Sequence, residues 1–226
     1  MRRVWYAIVA FTVLAGQSGQ AADLPRATMP AKAPVIVLYN WSGFYVGING
    51  GYGWGGSNWR DLGDGSTTGN FNVSGGVLGG TLGYNMQTGA WVLGVEGDLD
   101  WSNIKGDTAV TCGPPNCQTR NDWLATFRGR LGYAWDRLLP YVTAGAAAGN
   151  IRAGGVGLAT DNKSNVGWTA GVGLEAAVAG PWTAKVEWLY VDLGKMSCSI
   201  ARCTGAGLTD VKFNTHLLRA GLNYRF

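Results

Sequence analysis

The stretch Val211–Phe226, V-K-F-N-T-H-L-L-R-A-G-L-N-Y-R-F, carries the pattern that decides the fold. Counted back in twos from the end, Phe226, Tyr224, Leu222, Ala220 and Leu218 share one face. Arg225, Asn223, Gly221, Arg219, Leu217 and Thr215 share the other. A period of two marks an extended strand, because successive side chains point to opposite sides of a sheet. One face is apolar and ends in aromatics, and the other carries Arg219 and Arg225. Such a strand suits hydrocarbon on one side and a polar interior on the other.

The same period recurs upstream. Phe44, Val46, Ile48, Tyr52 and Trp54 alternate with Tyr45, Gly47, Asn49, Gly51 and Gly53; Leu78, Leu82, Tyr84 and Met86 make a second series. A third, Trp91 to Trp101, opposes Glu96, Asp98 and Asp100, and a fourth, Trp123 to Trp135, opposes Arg128 and Arg130. The fifth, Leu139 to Gly149, is so rich in Ala and Gly that its register stays open. The sixth, Val166 to Val178, opposes Glu175, and the seventh, Trp182 to Tyr190, opposes Lys185 and Glu187. The terminal strand brings the set to eight. Short links at Gln87–Gly89, Asp136–Arg137 and Gly180–Pro181 alternate with long connections near 55–72, 102–121, 150–165 and 193–210. The sequence therefore predicts an all-β fold over 42–226, a transmembrane antiparallel eight-stranded β-barrel with short periplasmic turns and long outer loops.

Composition agrees. The chain has 226 residues, 46% hydrophobic and only 14% charged, with 37 glycines and 11 tryptophans. That is the reverse of a disordered composition. Net charge is +4 with scattered basic residues, which gives no nucleic-acid footprint. Arg2 and Arg3, the apolar run Val4–Gly16 and the small residues Gly19 and Ala21 predict a signal peptide over 1–21. The run is too short for a spanning helix. Pro25, Pro30 and Pro34 break up the following lead-in, 22–41. Either Val35–Tyr39 orders against the barrel or the segment is a plain linker.

Other motifs favour structural readings. Cys112/Cys117 and Cys198/Cys203 are two C-x4-C pairs in predicted outer loops. Four thiolates could bind zinc, but an oxidising compartment favours disulfides, with local pairing preferred. Gly51, Gly53 and Gly56 match G-x-G-x-x-G without the helix that dinucleotide binding needs. His216, the one histidine, falls on the lipid-facing side or near the outer interface, away from the inward carboxylates, and no catalytic set forms around it. No catalytic, cofactor or metal site is expected. The tryptophans at strand ends read as interfacial belts.

The inward face balances five acids, Glu96, Asp98, Asp100, Glu175 and Glu187, against five bases, Arg128, Arg130, Lys185, Arg219 and Arg225. The lumen of an eight-stranded barrel is only wide enough for side chains to fill, so these charges are expected to pair. Glu96 and Asp98 would face Arg128 and Arg130, with a second cluster at Lys185, Glu187 and Arg219. A narrow solute channel is the competing reading.

W-S-G-F-Y-V-G-I-N-G-G-Y-G-W-G at Trp41–Gly55, A-A-D-L-P at Ala21–Pro25, the repeated L-G-Y at Leu82–Tyr84 and Leu131–Tyr133, and the final L-N-Y-R-F resemble the small outer-membrane immunogenic proteins of alphaproteobacteria. The resemblance implies a bacterial outer-membrane address and a surface-exposed, porin-like barrel. Its implied partners are outer-membrane lipid, the barrel assembly machinery, and host or envelope surface molecules, some members being described as haemin-binding. It also implies that Phe226 serves as an insertion signal. Deleting Phe226 is then expected to leave the chain in the periplasm or degraded. Surface labelling of cells making the truncated chain tests this, and normal surface levels would contradict it.

Overall fold

The computed structural model describes residues 39–61, 65, 67–109, 116–155, 161–198 and 209–226. The chain divides into Met1–Ile36 and Val37–Phe226. The predicted signal peptide and lead-in residues 22–38 lie outside the described residues. The second unit is a run of eight strands: β1 (Gly43–Asp61), β2 (Thr67–Thr88), β3 (Trp91–Thr108), β4 (Cys117–Tyr133), β5 (Leu138–Gly155), β6 (Asp161–Ala179), β7 (Trp182–Cys198) and β8 (Thr209–Arg225). Each pairs antiparallel with its sequence neighbours, and β8 returns to β1 from Tyr45↔Arg225 to Asp61↔Thr209, closing the barrel. The register that composition left open on β5 is settled by Arg130↔Thr143 on one side and Val142↔Val172 on the other.

The short links are tight turns. Gly89 and Gly180 adopt φ of 61° and 52°, and Asp136 takes the same left-handed region at 52°, where Asp is tolerated better than most residues. On the opposite end the strands run far into the ranges read as long loops, so the connections shrink to 62–66, 109–116, 156–160 and 199–208. A membrane strand needs only about 9–11 residues, whereas these have 17 to 22. The outward face shows where the surplus lies. On β3 the apolar outward series runs from Trp91 to Trp101 and then changes to Asn103, Lys105 and Asp107. At about 3.3 Å per residue and a tilt near 45°, Trp91 to Trp101 spans roughly 23 Å, close to the ~25 Å apolar band of an outer-membrane barrel.

Aromatics border this band at both ends. Phe44, Tyr84, Trp91, Tyr133, Trp182, Tyr224 and Phe226 ring the short-turn end, and Trp54, Trp101, Trp123, Trp168 and Tyr190 ring the other. Cross-strand partners meet edge to face in the short-turn ring, as Trp91 with Tyr133 (5.4 Å between centroids) and Trp182 with Tyr224 (5.2 Å). Beyond the second ring every strand continues with a polar exterior.

Two of the four cysteines, both read as lying in outer loops, fall at strand ends. Cys117 opens β4, is buried and is not a free thiol. Cys198 ends β7, while its side chain, Cys112 and Cys203 lie outside the described residues. We retain the local disulfides as a proposal.

A closed sheet has no frayed edge and pairs its backbone internally. Unboiled protein in detergent is therefore expected to migrate differently from boiled protein on electrophoresis. Identical mobility after refolding verified by circular dichroism would argue against closure.

Candidate functional site

Inside the barrel three layers follow one another from the short-turn end outward. The first is an apolar stopper of Trp41, Val92 and Leu139, with Tyr39, Ala134 and Ala177 against it. Trp41 is fully buried there. Its indole Nε1 donates to the Asp136 carbonyl (3.0 Å) and its backbone N–H to Gln87 Oε1 (2.7 Å), which ties the chain entering β1 to two different turns. Of the lead-in only Tyr39–Trp41 fall among the described residues, and Tyr39 and Trp41 pack against the short-turn end; Val35–Leu38, on which the choice between an ordered segment and a linker turned, lie outside them. Arg225, one of the ten inward charges, belongs to this layer. Its Nη2 donates to the Ser42 carbonyl (2.9 Å), and its guanidinium lies 5.1 Å from the Tyr39 ring centre and 5.4 Å from that of Trp41.

The middle layer holds the other nine charges, all buried. Arg128 is its hub: Nη2 donates to Glu96 Oε1 and to Asp98 Oδ2 (2.6 Å), Nη1 to Glu187 Oε2 (2.9 Å) and Nε to Thr126 Oγ1 (3.1 Å). Arg219 engages Asp100 Oδ2, Glu187 Oε1 (2.6 Å) and Asp98 Oδ2 (3.4 Å). Lys185 reaches from β7 to Glu96 on β3 (2.9 Å). Arg130 pairs with Glu175 (2.8 Å), and Thr183 and Asn223 donate to that carboxylate's other oxygen. The two clusters read from sequence are thus one network, because Arg128 joins the β3 acids to Glu187 and Lys185 closes the loop from the other side.

Two tyrosines complete it. The ring of Tyr45 packs against Gly83 and that of Tyr141 against Gly173, where any Cβ would collide with the ring. So placed, Tyr45 donates to Glu96 (2.8 Å), while Tyr141 sits under the Arg130 guanidinium at 3.9 Å from the ring centre. Glu96, Asp98 and Glu187 lie close enough together to suggest a cation site. The space between them is already taken by Arg128, Lys185 and Arg219.

The third layer, absent from the sequence reading, is an apolar core in the outer half of the barrel. It contains Trp59, Phe71, Val73, Ile104, Leu124, Leu189, Phe213 and Leu217, among others. Its few polar groups are satisfied internally: Trp59 Nε1 donates to Thr119 Oγ1 (2.9 Å), which also bonds Ser57 Oγ (2.9 Å). The glycines of the G-x-G-x-x-G string serve this packing, since Gly53 faces Ile104 and Leu217, and Gly51 lies against the β8 backbone at Leu218 and Arg219. His216 points outward, with ring centroids of Trp188 and Tyr190 at 5.5 and 5.1 Å.

The family pattern described as outer membrane protein beta-barrel domain matches residues 10–226. This chain belongs to that family. Within it, the 31 kDa outer-membrane immunogenic protein of Brucella melitensis is 35% identical over 92% of this chain and 94% of its own length. The 22 kDa outer membrane protein of Rhizobium leguminosarum bv. viciae is 36% identical over 71% and 68%. Among solved structures, OprG from Pseudomonas aeruginosa aligns with a TM-score of 0.49 at 14% identity, covering 82% of this chain and 97% of that one. This outer-membrane barrel therefore shares its family with immunogenic outer-membrane proteins and carries a lumen filled along the described strands.

Because Arg128 satisfies three carboxylates, its removal leaves several buried charges unpaired, and breaking even one such pair costs about 3 to 5 kcal/mol. Arg128→Ala is expected to lower the unfolding midpoint in urea markedly. Adding Glu96→Ala should restore only part of it, since Asp98 and Glu187 stay uncompensated. Full recovery in the double variant would show an isolated pair instead of a network.

Proposed function

We propose that the protein is a non-conducting surface barrel: a membrane anchor that carries a protruding rim and four outer connections to molecules of the medium, the host or the envelope. The observation behind this reading is the Arg128 network, bounded on both sides by apolar layers. All eight strands contribute to it, β2 through Thr81, whose hydroxyl donates to Asp98 Oδ1 (2.7 Å). Water and ions crossing the barrel would have to break paired buried charges and also wet two apolar stoppers. The strands rise well past the outer aromatic ring with a polar exterior, which suits display. That its relatives are named immunogenic outer-membrane proteins supports an exposed rim in this chain too.

Catalysis forms no part of this reading. The one histidine lies among Trp54, Trp188 and Tyr190 on the lipid face, and each buried carboxylate is engaged by a cation. Insertion by the barrel assembly machinery through Phe226 is carried as part of the same proposal; the residue lies exposed at the short-turn end, its N–H donating to the Phe44 carbonyl (3.0 Å).

The refolded protein in a planar bilayer is expected to give no steady large conductance. A stable, wide, solute-permeable channel from the wild-type chain would overturn the proposal and establish the porin alternative.

A further inference from the structure

Above the outer aromatic ring three cations stand side by side on the exterior of adjacent strands. Lys105 on β3 is directly opposite Arg120 on β4, and Arg120 is directly opposite Arg152 on β5. Like charges facing each other across a ladder are destabilising, so the row needs a compensating anion. The protein provides one carboxylate beneath it. Asp122 holds Arg120 Nε at 2.6 Å through Oδ1 and Arg152 Nε at 2.7 Å through Oδ2.

That carboxylate is itself anchored. Asn150, which is buried, donates to Asp122 Oδ2 (2.8 Å) and accepts from the backbone N–H groups of Asp122 (2.9 Å) and Trp123 (3.2 Å). Buried Asn121 bonds the Trp123 and Asn150 carbonyls. The two guanidiniums are thus fixed by their Nε atoms while their Nη atoms have no partner among the described residues, and neither does the Lys105 ammonium. Asp107, the next outward residue on β3, lies farther toward the rim and is engaged by Asn116 (3.1 Å). Two open, oriented guanidinium forks beside an ammonium offer the donors that phosphate oxygens accept.

Directly below, toward the membrane, Trp101 pairs with Trp123. These indoles form the upper wall of an apolar groove on the lipid face, also lined by Ile48, Leu78, Gly80 and Leu99. At about 710 Å³ it lies within the range that holds small-molecule ligands. Lys105 lies four positions beyond Trp101 on β3, about 13 Å along the strand. Cations, indoles and groove therefore succeed one another as the head, interface and tail of an amphiphile do.

We propose that this face binds a phosphorylated lipid of the surrounding outer leaflet, its phosphate on Lys105, Arg120 and Arg152 and an acyl chain in the groove. The inference rests on the outward orientation of the long-strand end and is independent of whether the lumen conducts. The joining of the groove to the cation row favours a lipid over a soluble polyanion, which would use the cations alone.

The test uses the folded chain purified from outer membranes and placed in phosphatidylcholine nanodiscs containing a minor fraction of bis-phosphorylated lipid A. Lipid retained after transfer to detergent is counted by native mass spectrometry. The wild-type protein is expected to retain lipid A roughly tenfold over its share of the disc. Lys105→Gln/Arg120→Gln/Arg152→Gln should bring retention down to that share. Gly80→Phe fills the groove without touching the cations, and a Cβ at Gly80 meets nothing nearer than 3.7 Å; it should also lower retention. Lys195→Gln/Lys212→Gln, on the opposite face across β7 and β8, should change nothing. Heat-modifiable mobility confirms that each variant is folded. No enrichment in the wild type, wild-type retention in the triple variant, or equal loss in the opposite-face variant overturns the proposal. Binding of inositol hexakisphosphate as tight as that of lipid A, unaffected by Gly80→Phe, would also overturn it in favour of a soluble polyanion.

Discussion

An eight-stranded ring leaves a lumen just wide enough for side chains to meet across it, and whatever lines that lumen must satisfy itself. At membrane depth the exterior has to be apolar, so strand alternation directs the polar residues inward. Their charges cannot turn to water. Arg128 answers this constraint by touching carboxylates from β3 and β7 at once, and Lys185 repeats the span from β7 to β3. These cross-lumen bonds brace opposite walls, so the same groups that relieve buried charge also hold the ring to its shape. Replacement by apolar side chains could in principle be as stable, but that would leave strands apolar on both faces, with no alternation to specify register.

The constraint reverses where the strands leave the membrane. Beyond Trp101 and Trp54 the exterior meets water, so polar residues belong outside and apolar ones inside. β8 shows both regimes in one strand: Arg219 and Asn223 point inward near its end, whereas Val211 and Phe213 point inward near its start, opposite exposed Lys212. The outer half is consequently built like a water-soluble barrel with a dry core, stacked on a membrane barrel with a polar one. A protruding section of this kind keeps its shape without lipid around it, which suits a rim that displays residues.

The membrane half was legible in the sequence because its pattern is strong: aromatic-bounded apolar series with Glu, Asp, Lys and Arg at alternate positions. The directly opposed pairs Glu96↔Arg128 and Glu187↔Arg219 follow from register, but the bonds that cross the lumen depend on how far each side chain reaches, and no ladder encodes that. The outer half was read as loop because its alternation has the opposite polarity. Ile151-Arg152-Ala153, inside a range read as a long connection, alternates as cleanly as Leu222-Asn223-Tyr224, with the inside and outside exchanged. Asking only for apolar residues on the lipid face hides such a segment. Trp41 was hidden for a different reason, since a single tryptophan after a proline-rich stretch has no period.

Joining the two regimes needs local irregularity. On β4 the inward residues are Cys117, Thr119 and Asn121 above, then Leu124, Thr126, Arg128 and Arg130 below, which changes parity once. The register shift between Arg120 and Leu124 absorbs that change, as a bulge inserts an unpaired residue and turns the strand. On β7 the shift between Asp192 and Lys195, with Gly194 at φ 71°, does the same between Leu193 and Met196. The β4 irregularity falls beside the outer aromatic ring and is held by Asn121 and Asn150. Its by-product is that Asp122 turns outward and draws Arg120 and Arg152 together. The device that reconciles a membrane barrel with a soluble one thereby places an oriented pair of guanidiniums at the level where the lipid surface begins.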